Sequence, residues 1–512
     1  MSLNGLAPNW TESVSKHTVH MMPRHSKKRL FPILATLLAG CTVGPDYVRP
    51  PMPTPAAFKE LKGWKPAQPH DHKITGKWWE IFQDPQLNAL EEQVASGNQS
   101  IAQAEAQYRQ AQALVQAARA TYFPTATSTT TVNRFRAASG TNVAVPGVKY
   151  LFGENFSTSW TPDLWGAVRR QVEANIGSSQ ASAATMLALR LSTQATLAQD
   201  YFQMRALDAQ KKLLDETVAS YHKSLELTQN RYAAGVAARA DVVLAESQLE
   251  SARAQSIDVE VLRAQMEHAV AVLTGKAPSE LSLPATPLTA VPPPIPVAIP
   301  SQLLERRPDI ASAERQIAAA NALIGVAKAA YFPTVTLAAN NGFQSNTLTS
   351  LASLASRYWA LGPTAMAWSI FDGGARNAQM KQAIDGFDAA VANYKQTVLT
   401  GFQQVEDNLA ALRILEEEAQ VQDKAVQAFR ESLALTTNQY KSGTVSYLNV
   451  MVAQAAALAS ENNAVQLKGK RLSAAVLLVT ALGGGWDTSA LPGPDEADGE
   501  MKWTDYLPFP VE

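Results

Sequence analysis

Cysteine, charge imbalance and long apolar runs are all missing or scarce in this sequence of 512 residues. The single cysteine, Cys41, excludes an intrachain disulfide and a cysteine-based metal cage. No apolar run approaches the roughly 18 residues that a membrane-spanning helix needs, so a bundle of transmembrane helices is excluded. Basic and acidic residues balance at 44 against 45, and the basic face that nucleic-acid binding requires is therefore not expected.

Aromatic residues are also few, at 7%, whereas alanine and glutamine are abundant. This composition is typical of long helices that pack closely through small side chains. At about 100–200 residues per domain, the length suggests two to four structural units with enough chain to bury a large core.

The chain begins with the features of an export signal. Basic residues between positions 24 and 29 precede the apolar stretch Leu30–Leu38, which is too short to span a bilayer as a helix. Residues 1–40 are therefore predicted to be a signal peptide, and its spacing fits a start at Met21 or Met22.

Leu38-Ala39-Gly40-Cys41 resembles a bacterial lipobox, in which the cysteine is acylated and becomes the first residue of the mature chain. Cys41 is thus the predicted lipidation site, and its covalent lipid is the only bound group that we expect, with no other cofactor. Thr42, and not an aspartate, follows the cysteine, which in this resemblance favours the outer membrane over retention at the inner membrane. The alternative is an unmodified cysteine in an ordinary apolar segment.

An internal repeat with a period near 208 residues organises the rest of the chain. Tyr122-Phe123-Pro124-Thr125 recurs as Tyr331-Phe332-Pro333-Thr334 at an offset of 209, and Ser224–Tyr232 recurs as Ser432–Tyr440 at an offset of 208. Chance similarity between alanine-rich helices is the alternative. Each copy is predicted to contain a first helix, a strand pair and a long helical tract. The predicted first helices are Pro85–Thr121 and Asp309–Tyr331.

Each strand pair follows a proline that stops the first helix, Pro124 or Pro333. The predicted strands are Thr125–Phe135 and Phe156–Thr161 in the first copy, and Thr334–Gln344 and Leu361–Phe371 in the second. In the last of these, Met366, Trp368 and Ile370 alternate with small residues, which is the period-2 pattern of a strand with two different faces.

Two proline-free tracts, Val168–Ala277 and Gly373–Leu491, are predicted to be antiparallel helical hairpins. Their apolar residues are spaced alternately by four and three, the period of a coiled coil. The seam runs through Leu214, Val218, Tyr221, Leu225, Thr228 and Tyr232, and again through Val426, Phe429, Leu433, Thr436 and Tyr440. Gly235 and Gly443 mark the turns, because glycine takes the positive φ that ends a helix. The first arm, Arg169 to Arg231, would be roughly 95 Å long.

Strands of roughly 9–11 residues have the length to cross a bilayer, and the chain offers four candidates. Backbone polar groups must all be paired in lipid, so open sheet edges are excluded there, and four strands are too few to close a barrel. Closure therefore requires several chains. Two would give a plugged barrel, whereas three would give twelve strands around an aqueous lumen and six hairpins in a helical tube. This geometry is that of a conduit.

The sequence resembles the TolC-like outer-membrane efflux proteins of the lipoprotein subgroup, the outer-membrane components of RND-type tripartite efflux systems. The resemblance rests on Cys41–Tyr47, Trp78-Trp79, Pro300–Ile310, both Tyr-Phe-Pro-Thr motifs and Gln404–Leu409. It implies a homotrimer anchored in the lipid of the outer membrane, with a 12-stranded barrel and an α-helical periplasmic tunnel. It also implies an equatorial collar around the tunnel, formed by the linker and the C-terminal segments. It also implies docking to a periplasmic adaptor (a membrane fusion protein) and to an inner-membrane RND-type pump.

On this basis the mature chain divides into five segments. They are a lipid anchor with an extended collar segment (41–84), the first repeat (85–277), a proline-rich linker (278–300), the second repeat (301–490) and a C-terminal collar segment (491–512). Trp78 and Trp79 are expected to pack in the collar. The tryptophans that flank the strands suit an aromatic belt at a lipid interface: Trp160, Trp165, Trp359 and Trp368.

The resemblance further implies that the tunnel closes at its periplasmic tip. The matching positions are Tyr232, Asp241, Tyr440, Val445, Asn449 and Val452. Val445, Asn449 and Val452 depart from the pattern best known in the family, which closes with salt bridges. We therefore expect one acidic ring at Asp241 and an apolar constriction, with Arg239 as a substitute partner for Asp241. Ordinary solvated turn residues are the alternative, and packing on the seam is favoured for both tyrosines.

The turns themselves resemble the tip motif that contacts the adaptor. The residues concerned are Gly235, Val236, Gly443 and Thr444. Small side chains allow another hairpin end to approach closely, and simple reversal of the helix is the alternative.

Neither catalytic nor metal-binding residues are predicted, because no hydrolase, nucleotide-binding or zinc-protease motif occurs in a suitable setting. For His70-Asp71-His72, a solvated loop is favoured over a metal site. The predicted function is a passive efflux channel, not an enzyme, with the energy coming from a partner pump. The alternative is a structural coiled-coil lipoprotein without a pore, which has no use for the strands. The transported substrate stays open.

Overall fold

The computed structural model describes residues 42–60, 76–136, 148–295 and 303–499. Within these ranges the chain is mainly α-helical with one small antiparallel sheet, which confirms the predicted fold class. The predicted signal peptide, Cys41 and the His70-Asp71-His72 segment lie outside the described residues.

Helices of matching length show that the chain contains two structural copies of one unit. The helices longer than five residues are α1 (Pro85–Gly97), α2 (Gln99–Ala120), α3 (Ala167–Ala233), α4 (Arg239–Leu273), α5 (Pro308–Ala329), α6 (Ala375–Lys441) and α7 (Tyr447–Ala481). The strands are β1 (Thr125–Arg136), β2 (Val148–Trp160), β3 (Thr334–Ser345), β4 (Arg357–Leu361) and β5 (Ala365–Ala367). The lengths agree in pairs: α2 and α5 have 22 residues, α3 and α6 have 67, and α4 and α7 have 35.

The long helices reverse direction at Gly235 and Gly443, as predicted, but the two arms of each hairpin are unequal. Each return helix has 35 residues, against 67 in the helix that it follows. The other half of α3 packs on α2 and α5, and that of α6 packs on α5. Leu214, Tyr221 and Thr228 of the predicted seam are buried. At 1.5 Å per residue, α3 and α6 each extend about 100 Å.

The sheet has the order β1-β2-β3-β4, with β5 also paired to β3, and all its pairs are antiparallel. The prediction for β1 and β3 is confirmed, whereas β2 begins at Val148, eight residues before the predicted start. The predicted fourth strand, Leu361–Phe371, is wrong. The chain forms β4 and β5 instead, because Pro363 between them has no N–H group for the ladder.

The prediction of one continuous first helix from Pro85 to Thr121 is also wrong, because the helix breaks at Asn98. The Asn98 side chain accepts from the backbone N–H groups of Ser100 and Ile101 and so caps α2. It also donates to the carbonyl oxygen of Leu273 at 2.9 Å, which ties the break to the end of α4. A Cβ atom at Gly97 would lie 2.4 Å from the carbonyl oxygen of Thr274, so only glycine fits this crossing.

The corners between helix and strand are fixed in the same way in both copies. The Trp160 indole donates to the carbonyl oxygen of Tyr122 at 2.9 Å, and the Trp368 indole donates to that of Tyr331 at 3.1 Å. Both acceptors open a Tyr-Phe-Pro-Thr motif, so the repeated motif is the corner itself. Trp359 lies away from the corners on β4 and is 70% exposed.

The main core lies halfway along α3. Trp78 and Trp79 are 1% and 2% exposed there, beside Phe202, in agreement with the packing predicted for them. The proline-rich linker adds Leu283 to this core. The buried side chain of Arg205 holds the linker in place, because it donates to the carbonyl oxygen of Pro284 at 2.7 Å.

Residues 42–60 form an extended strap that starts at the base of the sheet. The backbone N–H of Val43 donates to the carbonyl oxygen of Trp165 at 3.2 Å. Asp46 pairs at 2.7 Å with Arg170 of α3, whose side chain is only 5% exposed.

The strap continues onto two further helices. The Tyr47 hydroxyl donates to Glu314 of α5 at 2.5 Å, and burial raises the pKa of Tyr47, so the phenol stays protonated. At the far end Phe58 is 3% exposed and packs edge-on against Phe402 of α6. The strap therefore fastens α3, α5 and α6 to one another.

Phe58→Ala tests this fastening. We expect it to lower the free energy of unfolding by about 3–5 kcal/mol, because it leaves a cavity that the long helices fill poorly. The measurement is the guanidinium midpoint. Val48→Ala, at a strap residue that is 78% exposed, is the control and stays within about 0.5 kcal/mol of wild type. Equal midpoints for the two variants would show that the strap does not stabilise the fold.

Glu91 in α1 is expected to make the stability of the fold depend on pH. It is 0% exposed, and within the described residues neither carboxylate oxygen has a hydrogen-bond partner. Burial raises the pKa of Glu91 from 4.5 to about 9. The unfolded chain ionises above 4.5 while the folded chain keeps its proton, so this residue makes stability fall as the pH rises towards 9.

Glu91→Gln removes that titration. We expect the difference in denaturation midpoint between variant and wild type to move in favour of the variant from about pH 5 to about pH 8. Glu80→Gln, at an exposed position, is the control and shows no such trend. A pH-independent difference for Glu91→Gln would mean that Glu91 is ionised in the fold.

Candidate functional site

Two tight turns at the ends of the longest helices form the tips of the hairpins. Gly235 and Gly443 have φ angles of +71° and +81°, a region that favours glycine. The N–H of Gly235 donates to the carbonyl oxygen of Tyr232 at 2.9 Å, and that of Gly443 donates to Tyr440 at 3.0 Å. The first tip is open, since a Cβ atom at Gly235 would meet no atom within 4 Å in the described chain.

A buried aromatic cluster holds the two tips of one chain against each other. Tyr440 and Tyr447 are 4% and 1% exposed, and their rings meet edge to face with centroids 5.5 Å apart. Ala245 of the first hairpin and Val450 of the second complete the cluster. An edge-to-face pair adds about 0.5–1.5 kcal/mol beyond its burial. The two hairpins therefore end as one packed unit.

Arg231, in the last turn of α3, crosses from the first tip to the second. Its guanidinium carbon lies 4.7 Å from the centroid of the Tyr440 ring. Its Nη1 donates to the carbonyl oxygen of Lys441, the last residue of α6, at 3.0 Å. A cation at a helix C-terminus complements the partial negative charge of the unpaired carbonyls. Arg231 thus caps a helix of the other hairpin.

Asp241 lies in the first turn of α4, where a negative charge is stabilised by the helix N-terminus. Its carboxylate accepts from the backbone N–H of Ala238 at 3.3 Å. Burial, with smaller contributions from Tyr440, Tyr221 and Asp241, raises the pKa of Tyr447 to about 12. Tyr447 is therefore a neutral phenol close to the Asp241 carboxylate.

The predicted tip residues lie on different surfaces. Asp241 and Val445 are half-buried, whereas Tyr232, Arg239, Asn449 and Val452 are exposed. The exposed set also includes all four predicted adaptor-contact residues, Gly235, Val236, Gly443 and Thr444.

One of the predictions for the tip needs correction. Packing is confirmed for Tyr440 but wrong for Tyr232, whose side chain is 47% exposed because the buried seam ends at Thr228. Within one chain, no ion pair of the described structure joins Arg239 to Asp241, whose carboxylate caps its own helix. Arg239 as a partner of Asp241 stays a prediction.

Sequence reasoning missed Arg231 and Tyr447. A signal was available in the repeat, because the second copy has Gln439 in place of Arg231 and the first copy has Arg239 in place of Tyr447. At both positions the copies differ in charge and size, and both residues lie where the tips contact each other.

At the other end of the molecule, the sheet has one polar and one apolar face. The polar face carries Thr125, Thr127, Thr129, Thr131, Asn133, Lys149, Asn155, Ser157, Ser159, Asn340, Gln344 and Tyr358. The apolar face carries most of the large apolar side chains, among them Val132, Tyr150, Phe152, Phe156, Leu337, Phe343, Trp359, Leu361 and Met366, but it also carries Arg134, Arg136, Glu154 and Arg357. This alternation is the pattern of strands that have lipid on one side and a watery lumen on the other.

Side-chain contacts agree with the assignment of the faces. On the polar face, the hydroxyls of Thr127 and Ser157 lie 2.7 Å apart, and the Tyr358 hydroxyl donates to Asn155 at 2.9 Å. On the apolar face, the Tyr150 and Phe152 rings stack at 6.0 Å.

The sequence matches a known family over both copies of the repeat. Residues 90–276 and 299–484 match the family described as outer membrane efflux protein. This chain belongs to the outer membrane efflux protein family. Each matched stretch runs from a first helix through a strand pair to the end of a return helix, so the family unit and the structural repeat coincide.

Two curated relatives of this efflux protein cover nearly the whole chain. The probable efflux pump outer membrane protein TtgC of Pseudomonas putida is 32% identical over 466 residues, which span 89% of this chain and 94% of the relative. The probable outer membrane lipoprotein SilC of Salmonella typhimurium is 29% identical, over 88% of this chain and 97% of the relative.

A solved structure supports the same assignment. The outer-membrane channel OprN matches with a TM-score of 0.80 at 30% identity, over 87% of this chain and 100% of that one. The protein is accordingly an outer-membrane efflux channel, as its sequence predicted.

Within the described ranges, no helix is both long and apolar enough to cross a membrane. No group of three or more His, Cys, Asp or Glu side chains in these ranges could hold a metal ion.

The contact between the tips predicts the behaviour of one variant. Arg231→Ala removes the cation–π contact and the cap on α6, so we expect about fivefold faster amide hydrogen exchange in the last turns of α3 and α6. Arg239→Ala, at an exposed arginine only eight residues away, is the control and leaves exchange unchanged. Equal exchange in both variants would show that Arg231 does not hold the tips together.

Proposed function

We propose that three copies of this efflux protein assemble into one closed tube, a twelve-stranded barrel in the outer membrane that continues as a helical tunnel into the periplasm. The tube is a passive conduit. It joins, through a periplasmic adaptor, an inner-membrane pump of the RND type that supplies the energy, so the chain itself needs no catalytic residue. The observation that carries the proposal is a sheet with two unpaired edges.

Those edges cannot remain open in a membrane. In the part of the chain that the structure describes, β1 pairs only with β2, while β4 and β5 pair only with β3. Each unpaired backbone group in hydrocarbon costs several kcal/mol. Pairing β1 of one copy with β4 and β5 of the next satisfies both edges, and a ring of three has a lumen wide enough for water. The apolar face then contacts lipid and the polar face lines the lumen.

The helices leave a matching requirement. Apolar side chains stay exposed along three of them: Ile257 and Val261 on α4, Ile384, Leu399 and Val421 on α6, and Leu477 on α7. Rows of exposed apolar side chains are typical of an interaction site. Neighbouring copies would cover it by forming the wall of the tunnel.

The strap supports a lipid anchor at Cys41. Thr42, the next residue, lies against Gly166, where β2 gives way to α3, and its hydroxyl accepts from Arg169 at 2.8 Å. Thr42, the residue after the proposed lipidation site, is therefore held at the base of the proposed barrel, on the side of the periplasmic leaflet. An acyl chain there adds to the anchoring that the barrel provides.

The tip is the proposed gate. Asp241 from three copies forms one acidic ring, and the exposed Asn449 and Val452 narrow the entrance without ion pairs. The open turns at Gly235, Val236, Gly443 and Thr444 are the proposed contact with the adaptor. Rings of acidic side chains attract cations and so select what enters a pore.

Conductance of purified protein in planar bilayers tests the proposal. We expect discrete steps of current, one for each inserted trimer. The rival hypothesis, a coiled-coil spacer without a pore, requires no conductance at any protein concentration, and that result would overturn the proposal.

Asp241→Ala tests the gate in the same bilayers. Since it removes the acidic ring, we expect a lower preference for potassium over chloride and a higher closed-state leak. Asp258→Asn, at an exposed position further along α4, is the control and leaves both quantities unchanged. Unchanged selectivity and leak in Asp241→Ala would remove Asp241 from the gate.

A further inference from the structure

The charged side chains of the sheet are divided unequally between its faces. The described strands contain Arg134, Arg136, Lys149, Glu154 and Arg357 as their charged residues. Four of these lie on the apolar face, and Lys149 alone lies on the polar face.

The contact made by the neighbouring Tyr150 and the register of the strands fix this assignment. Its neighbour Tyr150 lies under the guanidinium of Arg134, at 5.5 Å from ring centroid to carbon, which places both on the apolar face. Successive residues of a strand point to opposite faces, so Lys149 points away from them. It pairs in register with Phe135 of β1, one step from the outer end of the sheet.

No acidic side chain on the polar face of the described strands balances the charge of Lys149. The two segments that connect strands at this end, residues 137–147 and 346–356, contain no Asp, Glu, Lys or Arg. The other polar-face residues of the described strands are hydroxyl, amide, aromatic, aliphatic or glycine residues. Glu154 is turned to the opposite face, where it accepts from the hydroxyls of Ser128 and Thr130.

We infer that Lys149 forms a positively charged ring at the outer mouth of the channel and makes that mouth a binding site for multivalent anions. The inference rests on the proposed trimer, in which three copies of Lys149 face one lumen. Three ammonium groups on an otherwise uncharged wall attract phosphates, sulfates and carboxylates and repel cations. The two ends of the channel then carry opposite charge, acidic at the Asp241 tip and basic at the exit.

Block of the channel from one side tests this inference. Trimers inserted barrel-first into a planar bilayer present the outer mouth to the far chamber, because the long helical tunnel cannot cross. At about 10 mM KCl the screening length is about 30 Å, so the ring acts across the lumen. We expect millimolar tripolyphosphate in the far chamber to reduce conductance at least about twofold, and the block to fade at about 1 M KCl, where the screening length is about 3 Å.

Lys149→Gln abolishes the block and Lys149→Arg keeps it. Arg134→Gln is the matched control, because it removes a positive charge at almost the same height on the opposite face, and it leaves the block intact. If Lys149→Gln does not assemble, Asn133→Glu tests the same point. It puts a carboxylate on the polar face of β1 beside the ring, and the block should weaken.

The outcomes separate the two proposals. Absence of any conductance in wild type contradicts the channel itself. Conductance that tripolyphosphate does not block, or that it blocks equally in wild type and Lys149→Gln, overturns the anion site while the channel stands.

Discussion

A sheet whose two edge strands lack partners is the constraint on which the rest of this structure depends. The chain places its strands at the end of helices about 100 Å long, and within the described residues it closes neither side of the sheet. Hydrocarbon does not tolerate unpaired backbone groups, which is why we propose that the chain pairs with copies of itself. The alternation of a hydroxyl-rich face with an aromatic face then determines which side meets water. Each corner repeats the same indole-to-carbonyl hydrogen bond, at Tyr122 and at Tyr331.

The two copies of the repeat have the same lengths but different contacts. Equal helices give a wall of nearly uniform height, which a closed tube requires. One difference lies at the tips, where Arg231 of the first copy, which is Gln439 in the second, contacts Tyr440 and Lys441. Duplication therefore supplies the frame, and divergence between the copies supplies the contacts that hold one tip against the other. The strap contacts α3, α5 and α6 and so fixes the half of the long helices that lies nearer the sheet.

Much of this arrangement was predictable from the sequence, because its signals are local and periodic. Prolines at 124 and 333 ended helices, glycines at 235 and 443 reversed them, and the repeat fixed the order of the elements. The errors arose where tertiary contacts override local pattern. The helix break at Asn98 depends on a crossing with α4, and the split of the last strand depends on Pro363. Tyr232 fits the seam by spacing, yet the seam ends before it. The link that Arg231 forms between the tips depends on side-chain geometry, and the repeat marks this position only by the change from Arg231 to Gln439.

Crosslinking between the edge strands tests most directly whether one chain is a third of a wall. Thr129→Cys on β1 and Ala360→Cys on β4 lie on the same face but are separated by two intervening strands within one chain, so roughly 14 Å apart at the usual strand spacing. A short bismaleimide applied to outer membranes that contain the double variant should give covalent products of two and three copies and nothing larger. Products confined to single chains, or a ladder that continues beyond three, would contradict a closed ring of three.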